Sequence, residues 1–175
     1  MKKAEYLQAV TRALAMYEKA RIVLTEEEKQ NVEVADFGLG KLDNVGLEIV
    51  TYVNTDRVCA KEMVLFPHQT CPEHMHVETN GQPGKEETFR VRYGVVHLYV
   101  TGERNVENID LPATDVTVFH EVVLHPGQQY TIHPRTWHWF RAGAEGAVVS
   151  EFSTHSTDET DVFTDKNIVR APKVE

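Results

Sequence analysis

The sequence predicts a mainly β protein, a sandwich or barrel with a helical extension at its amino terminus. Two observations carry that expectation. Residues 4–20 set Tyr6, Leu7, Val10, Ala13, Leu14 and Tyr17 on one helical stripe. Beyond residue 32, Val- and Ile-rich segments are divided at short intervals by Gly, Asn, Asp and Pro, the pattern of short strands joined by turns. At 175 residues, 41% hydrophobic and 26% charged, the chain suits one domain, 1–175, with a substantial core. No internal repeat or low-complexity linker divides it.

Thr25 followed by Glu28 has the form of a capping box, which predicts a short second helix over 26–31. The extension 1–31 is therefore expected to pack on the β-domain. Strands are expected over 46–53, 57–66, 89–100, 117–124, 129–133, 136–141 and 146–153, most of them rich in β-branched or aromatic residues. Gly81-Gln82-Pro83-Gly84 marks a loop, and Pro126-Gly127 a turn before the last three strands.

The formal charge of −9 argues against nucleic acid or an anionic membrane as partner, since both need a basic surface. Glu5 and Arg12 interrupt any signal-peptide core, and no apolar run approaches the ~20 residues that span a bilayer. Cys59 and Cys71 lack redox or zinc-knuckle spacing and read as reduced thiols. The expectation is a soluble cytoplasmic protein.

His74 and His76 are two residues apart, so on a strand both imidazoles project from one face. Two nitrogen donors aimed at one point are half of a metal site, which Glu87 and His138 would complete if the four meet. The other histidines, such as His68, His97, His120, His125 and His155, are scattered and read as surface or hydrogen-bonded residues.

Spacing adds to this. Glu87 is followed after six residues by Gly94, and Gly127 precedes the run Ile132-His133-Pro134-Arg135-Thr136-Trp137-His138. The arrangement resembles the two signature motifs of the cupin superfamily. The first, His-x-His, a spacer, Glu, six residues and Gly, matches at His74, His76, Glu87 and Gly94, with a spacer of ten residues that is longer than usual. The second, Gly, five residues, Pro-x-Gly, two residues and His, matches at Gly127 and His138, with His133 and Arg135 where the family has Pro and Gly.

A narrower resemblance lies in Lys85 to Gly94, in Pro134 to Phe140, and in Ser150 to Thr154 continuing through Asp158-Glu159-Thr160-Asp161. These stretches are similar to the bacterial D-lyxose isomerases. The resemblance implies a jelly-roll-like cupin barrel and a manganese-dependent enzyme, often dimeric. It implies a monosaccharide substrate, with D-lyxose and D-xylulose interconverted, and commonly D-mannose and D-fructose. Three imidazoles and a carboxylate leave two positions open on a six-coordinate ion, enough for two vicinal sugar oxygens. That mixed donor set favours Mn2+, with Fe2+, Co2+ or Zn2+ as alternatives.

Isomerisation also needs groups that take and return a carbon-bound proton. Glu151, in Ala147-Val148-Val149-Ser150-Glu151-Phe152, is a buried base if its face is interior and an outward edge residue otherwise. Lys85 either donates to a sugar oxygen or belongs to a solvated Lys-Glu-Glu run. Alternation groups Lys61 with Met63 and Leu65, and Glu62 with Val64 and Phe66, so the pattern leaves open which set points in; an inward Lys61 is a third candidate for acid–base or sugar-binding work. Asp161 either contributes from the tail or lies on the surface.

Phe89, Val91 and Tyr93 share Glu87's face and are expected to wall the cavity, with Arg90 and Arg92 outward. Trp137 and Trp139 flank His138 and are expected in the core or a subunit interface. Two rival readings use the same ligands: an Fe2+ cupin dioxygenase, and a sugar-binding cupin without turnover.

Overall fold

The computed structural model describes residues 1–171 and 174. Helices α1 (Lys3–Lys19) and α2 (Glu26–Gln30) come first. The capping box at α2 is formed: Thr25 Oγ1 accepts from Glu28 N at 3.2 Å, and Glu28 Oε2 accepts from Thr25 N at 2.7 Å. Nine strands follow among the described residues: β1 (Glu33–Ala35), β2 (Leu47–Asn54), β3 (Cys59–Leu65), β4 (Thr70–Met75), β5 (Glu87–Val100), β6 (His120–Leu124), β7 (Gln129–Ile132), β8 (His138–Ser153) and β9 (Val162–Phe163).

β5 and β8 form the spine. Residues 87–94 of β5 pair with 147–153 of β8, and 96–100 pair with 138–142. Between these stretches the register shifts, both strands bend, and each passes from one half of the sheet to the other. In one half the order is β7-β5-β8-β3-β2-β1, and in the other β6-β5-β8-β4-β9. The sheet therefore curls around an interior. Gly94 (φ +72°) and Gly146 (φ +76°) occupy the crossing, where a Cβ on Gly94 would collide with the Gly146 carbonyl and one on Gly146 would sit 2.7 Å from the Leu65 carbonyl oxygen.

Three differences from the sequence expectation have local causes. The segments 136–141 and 146–153 are one bent strand, because Gly143 and Gly146 carry β8 around the corner without ending its pairing. β6 begins at His120 because the backbone N–H groups of Thr117 and Val118 donate to the buried Glu73 carboxylate instead of a ladder. Tyr93 does not wall the interior. A register shift between Val91 and Tyr93 turns its side chain to the outer layer, against the helical extension.

Both faces of the sheet are covered where β3 lies. Met63, Leu65, Phe89, Val91 and Phe140 belong to the inner apolar cluster, while Val64 and Phe66 pack under Ala9, Ala13, Met16 and Tyr17 of α1. That double burial is why alternation along β3 did not reveal its inward side. Cys59 and Cys71 are buried free thiols. No described helix is long and apolar enough to cross a membrane.

The covered outer face holds a carboxylic acid. Glu48 is fully buried, accepts from Gln69 Nε2 at 3.3 Å on Oε1, and has no partner for Oε2 among the described residues. Burial pushes its carboxyl up from 4.5 to about 8. Between those values the native state binds a proton that the unfolded chain releases. The contribution of Glu48 to stability is thus complete below about 4.5 and is lost as pH rises to about 8. Glu48→Gln, which copies the neutral form, is expected to match the parent near pH 4.5 and exceed it by a few kcal/mol at pH 8. Urea midpoints of the two proteins that stay parallel over this range would refute the expectation.

Candidate metal centre

β4 runs between β8 and β9 and sets His74 directly across from His138 and Phe163. His76 lies one residue beyond the end of β4, and Glu87 opens β5. The four candidate ligands therefore meet inside the curl. His74, His76, Glu87 and His138 are all buried, and their donor atoms lie within 4.8 Å of one another.

Each imidazole has one nitrogen committed. Nδ1 of His74 donates to the Pro72 carbonyl at 2.8 Å, and Nδ1 of His138 to the Thr136 carbonyl at 2.9 Å. A carbonyl only accepts, so the proton sits on Nδ1 and Nε2 offers its lone pair inward. His76 Nδ1 is 2.6 Å from Asp161 Oδ1, a carboxylate that orients the ring in the same sense. Asp161 is thus inside the site, not on the surface.

Glu87 Oε1 comes within 3.2 Å of His76 Nε2 and 3.1 Å of His138 Nε2. Yet all three atoms are buried and make no hydrogen bond among the described residues. Polar atoms so close, so buried and so unsatisfied are costly unless a cation lies among them. Neighbouring donors at right angles on an ion with bonds of ~2.1 Å are ~3 Å apart. Three nitrogens and a carboxylate at these distances fit a divalent metal.

The buried charges around the site shift these donors in different directions. Burial and the neighbouring His138 and His76 rings hold His74 well below its ordinary value, which keeps it a neutral ligand. Burial also opposes a charge on His76, but Glu87 and Asp161 outweigh it and raise the ring to about 9. Burial disfavours the Glu87 carboxylate, but Lys85 and His76 prevail and hold it well below the usual range.

Beside the centre is a small cavity with two kinds of wall. Phe37, Leu47, Ile49, Met63 and Phe89 form an apolar side; Lys61, Lys85, Glu151, Asp158, Asp161 and Arg170 form a charged one. Glu151 pairs with Lys61 across β3 and with Phe89 across β5, so strand register turns it inward. Lys85 Nζ lies 2.7 Å from Glu87 Oε2, 3.2 Å from Glu151 Oε1 and 3.1 Å from Asp158 Oδ1. Burial opposes its charge, but Glu151, Glu87 and Asp158 outweigh burial and raise Lys85 well above its ordinary value. It is a buried cation, not part of a solvated run.

Lys61 also turns inward, while Glu62 lies under α1 with Ser150 Oγ donating to its Oε1. Phe89 and Val91 lie inside as expected. Arg90 bonds Gln129 and Arg92 bonds Ser150, both away from the cavity. Trp139 is core: it is fully buried, stacks on Tyr99 at 3.9 Å and donates to the Val118 carbonyl at 2.9 Å.

Sequence reasoning assigned no site role to Asp158 or Arg170. Both come from the tail, which crosses the cavity mouth after β8. It is tied down by Thr164, whose Oγ1 donates to Glu73 Oε1 at 2.5 Å, and by Phe163 against His74 at 5.6 Å between rings. Asp158 sits in an acidic run without periodicity, which reads as solvated chain. Arg135, where the cupin motif has Gly, keeps the left-handed backbone that Gly would adopt (φ +64°) and donates its N–H to the His76 carbonyl at 3.0 Å.

Comparison with known proteins points the same way. The D-lyxose isomerase family model matches residues 13–175. A protein of Thermosediminibacter oceani named D-lyxose/D-mannose isomerase is 56% identical, over 100% of this chain and 99% of its own. Among solved structures, Cellulomonas parahominis L-ribose isomerase superposes with a TM-score of 0.79 at 18% identity, over 99% of this chain and 98% of that one. An RmlC-like cupin from Shewanella frigidimarina reaches 0.50 at 15% identity, over 74% of this chain and 89% of that one. The structures share the fold, a cupin barrel of the kind the two motifs anticipated. The match over nearly the whole length, at an identity above half, carries more: this chain belongs to the D-lyxose isomerase family.

Proposed function

We propose that this protein is a metal-dependent aldose–ketose isomerase that interconverts D-lyxose with D-xylulose and D-mannose with D-fructose. The observation that carries the reading is the four-donor cluster joined through Lys85 to a buried carboxylate, Glu151. The reading assigns Mn2+ to His74, His76, Glu87 and His138, with Fe2+, Co2+ or Zn2+ as substitutes. When bound, the ion supplies Lewis-acid stabilisation for the oxygen charge that develops as a carbon-bound proton leaves.

The chain's own residues account for the proton. Glu151 lines the cavity and accepts from Lys85 and Ser153 on Oε1, with no hydrogen bond to Oε2 among the described residues. In this reading Glu151 takes the proton from C2 of the aldose and returns it to C1. Lys85, a cation between Glu87 and Glu151, donates to a sugar oxygen. Lys61 belongs to the charged wall behind Glu151 and not to the reacting carbon. The apolar wall limits water around the exposed carbanion-like carbon.

The reading extends to a cytoplasmic homodimer. The free thiols of Cys59 and Cys71 suit a reducing compartment. Val53, Val58 and Phe152 are exposed on an outer sheet face that α1 does not cover, where Val53, Ala60, Phe152 and Thr88 form one cross-strand row.

The test is turnover of a panel of pentoses and hexoses without oxygen, after chelation and after Mn2+ is restored. Ketose formation from D-lyxose and D-mannose is expected to disappear on chelation and return with Mn2+. Sugar consumption that requires oxygen would favour the Fe2+ dioxygenase. Binding with no turnover of any sugar would favour a sensor.

A further inference from the structure

Two ammonium groups border Glu151, and only one is at hydrogen-bonding distance. Lys85 Nζ is 3.2 Å from Oε1, while Lys61 Nζ is 3.7 Å from the same oxygen. Lys61 stands directly across from Glu151 on β3, and both side chains are buried. Opposite charges so placed attract strongly, and nothing in the strand pairing holds them apart.

The restraint comes from the tail. Lys61 Nζ donates to Asp158 Oδ2 at 2.6 Å and to Ser156 Oγ at 2.9 Å. Ser156 Oγ donates onward to Asp158 Oδ1 at 2.5 Å. The Ser156 backbone is held on both sides by Asn54, whose amide donates to its carbonyl at 3.0 Å and accepts from its N–H at 3.1 Å. Arg170 Nη2 lies 3.2 Å from Asp158 Oδ2 on the side away from Lys85, which reaches Oδ1. Asp158 is thus a counter-charge shared by three cations and fixed by a short polar clamp.

We propose that Asp158 is a positioning residue that draws Lys61 off Glu151, so that Glu151 faces the substrate with one ammonium at its oxygen and not two. The chemistry needs this separation. A carboxylate gripped by two ammonium groups is a weak proton acceptor, because each stabilises the charged form that must be surrendered. The proposal rests on Glu151 as the proton acceptor of the isomerase reading.

Asp158→Asn keeps the side chain's shape and removes its charge, so Lys61 is expected to close on Glu151. With D-lyxose as substrate, kcat should fall about tenfold or more, with KM little changed and Mn2+ content at the wild-type level. Adding Lys61→Met to Asp158→Asn should recover most of the lost kcat, since no second ammonium remains. That second-site recovery is what a merely structural role for Asp158 does not produce. A double variant as slow as Asp158→Asn, or a loss confined to KM, overturns the proposal. If Asp158→Asn does not fold, Ser156→Ala removes one of the two tethers, and its smaller kcat loss must again be reversed by Lys61→Met. Wild-type protein that isomerises no sugar would sink the isomerase reading itself; active wild-type protein without second-site recovery sinks this inference alone.

Discussion

His138→Ala is expected to lose bound metal and isomerase activity together, to below detection. The side chain is fully buried, directly across the ladder from His74, and its Nε2 is one of three polar atoms in the centre that make no hydrogen bond among the described residues. Its other nitrogen donates to the Thr136 carbonyl, which holds the ring with Nε2 facing the centre. Removal of a supporting outer contact at a metal site already costs ~10–100-fold in affinity, and removal of a donor costs more. His76→Ala should behave alike, with Asp161 left beside an empty space. Elemental analysis after dialysis against Mn2+, read beside ketose production, checks both variants. Near-UV circular dichroism separates this from unfolding. A His138→Ala protein that is folded, metal-free and active would disprove the centre.

Glu151→Gln should do the reverse: metal retained, turnover gone. The amide fills the same volume and can still accept from Lys85 and Ser153 on its oxygen, so the wall around it is preserved. What it cannot do is take a proton from carbon. The expected loss in kcat is ~10²–10⁴-fold, equivalent to ~3–5 kcal/mol of barrier, with KM close to wild type. Deuterium uptake at the substrate's C2 from heavy water should fall in parallel, which ties the loss to proton transfer. An unchanged kcat would show that another group is the base.

Much of this was legible before any coordinates. The stripe from Tyr6 to Tyr17 and the Thr25/Glu28 box are local signals, and both helices form where those signals stand. His74 and His76 share a face because a strand has period two. Glu87 and His138 announce themselves through their distances to Gly94 and Gly127. β4 was harder. Thr70-Cys71-Pro72-Glu73-His74-Met75 has little β-branched character, and its strand exists because β8 and β9 pair with it from either side. The expectation that Tyr93 walls the cavity failed for a related reason: strict alternation holds only until a register shift, and the shift is set by the bend of the sheet.

The sequence by itself determined the helical extension, the β character and the four candidate metal-donor positions, because each follows from spacing within a few residues or from a motif that keeps its shape wherever it occurs. Only the tertiary structure decided which charged residues serve the cavity. Lys61 and Glu62 had equal claims until α1 covered one face of β3 and left the other to the interior. Lys61 and Asp158 meet across 97 positions of chain, and Lys85 and Glu151 across 66. A periodic pattern records which way a side chain points relative to its neighbours; it carries no record of which distant segment returns to cover it. Burial by such a segment is what turns an acidic tail and a lysine in an apolar strand into one charged wall beside the candidate metal centre.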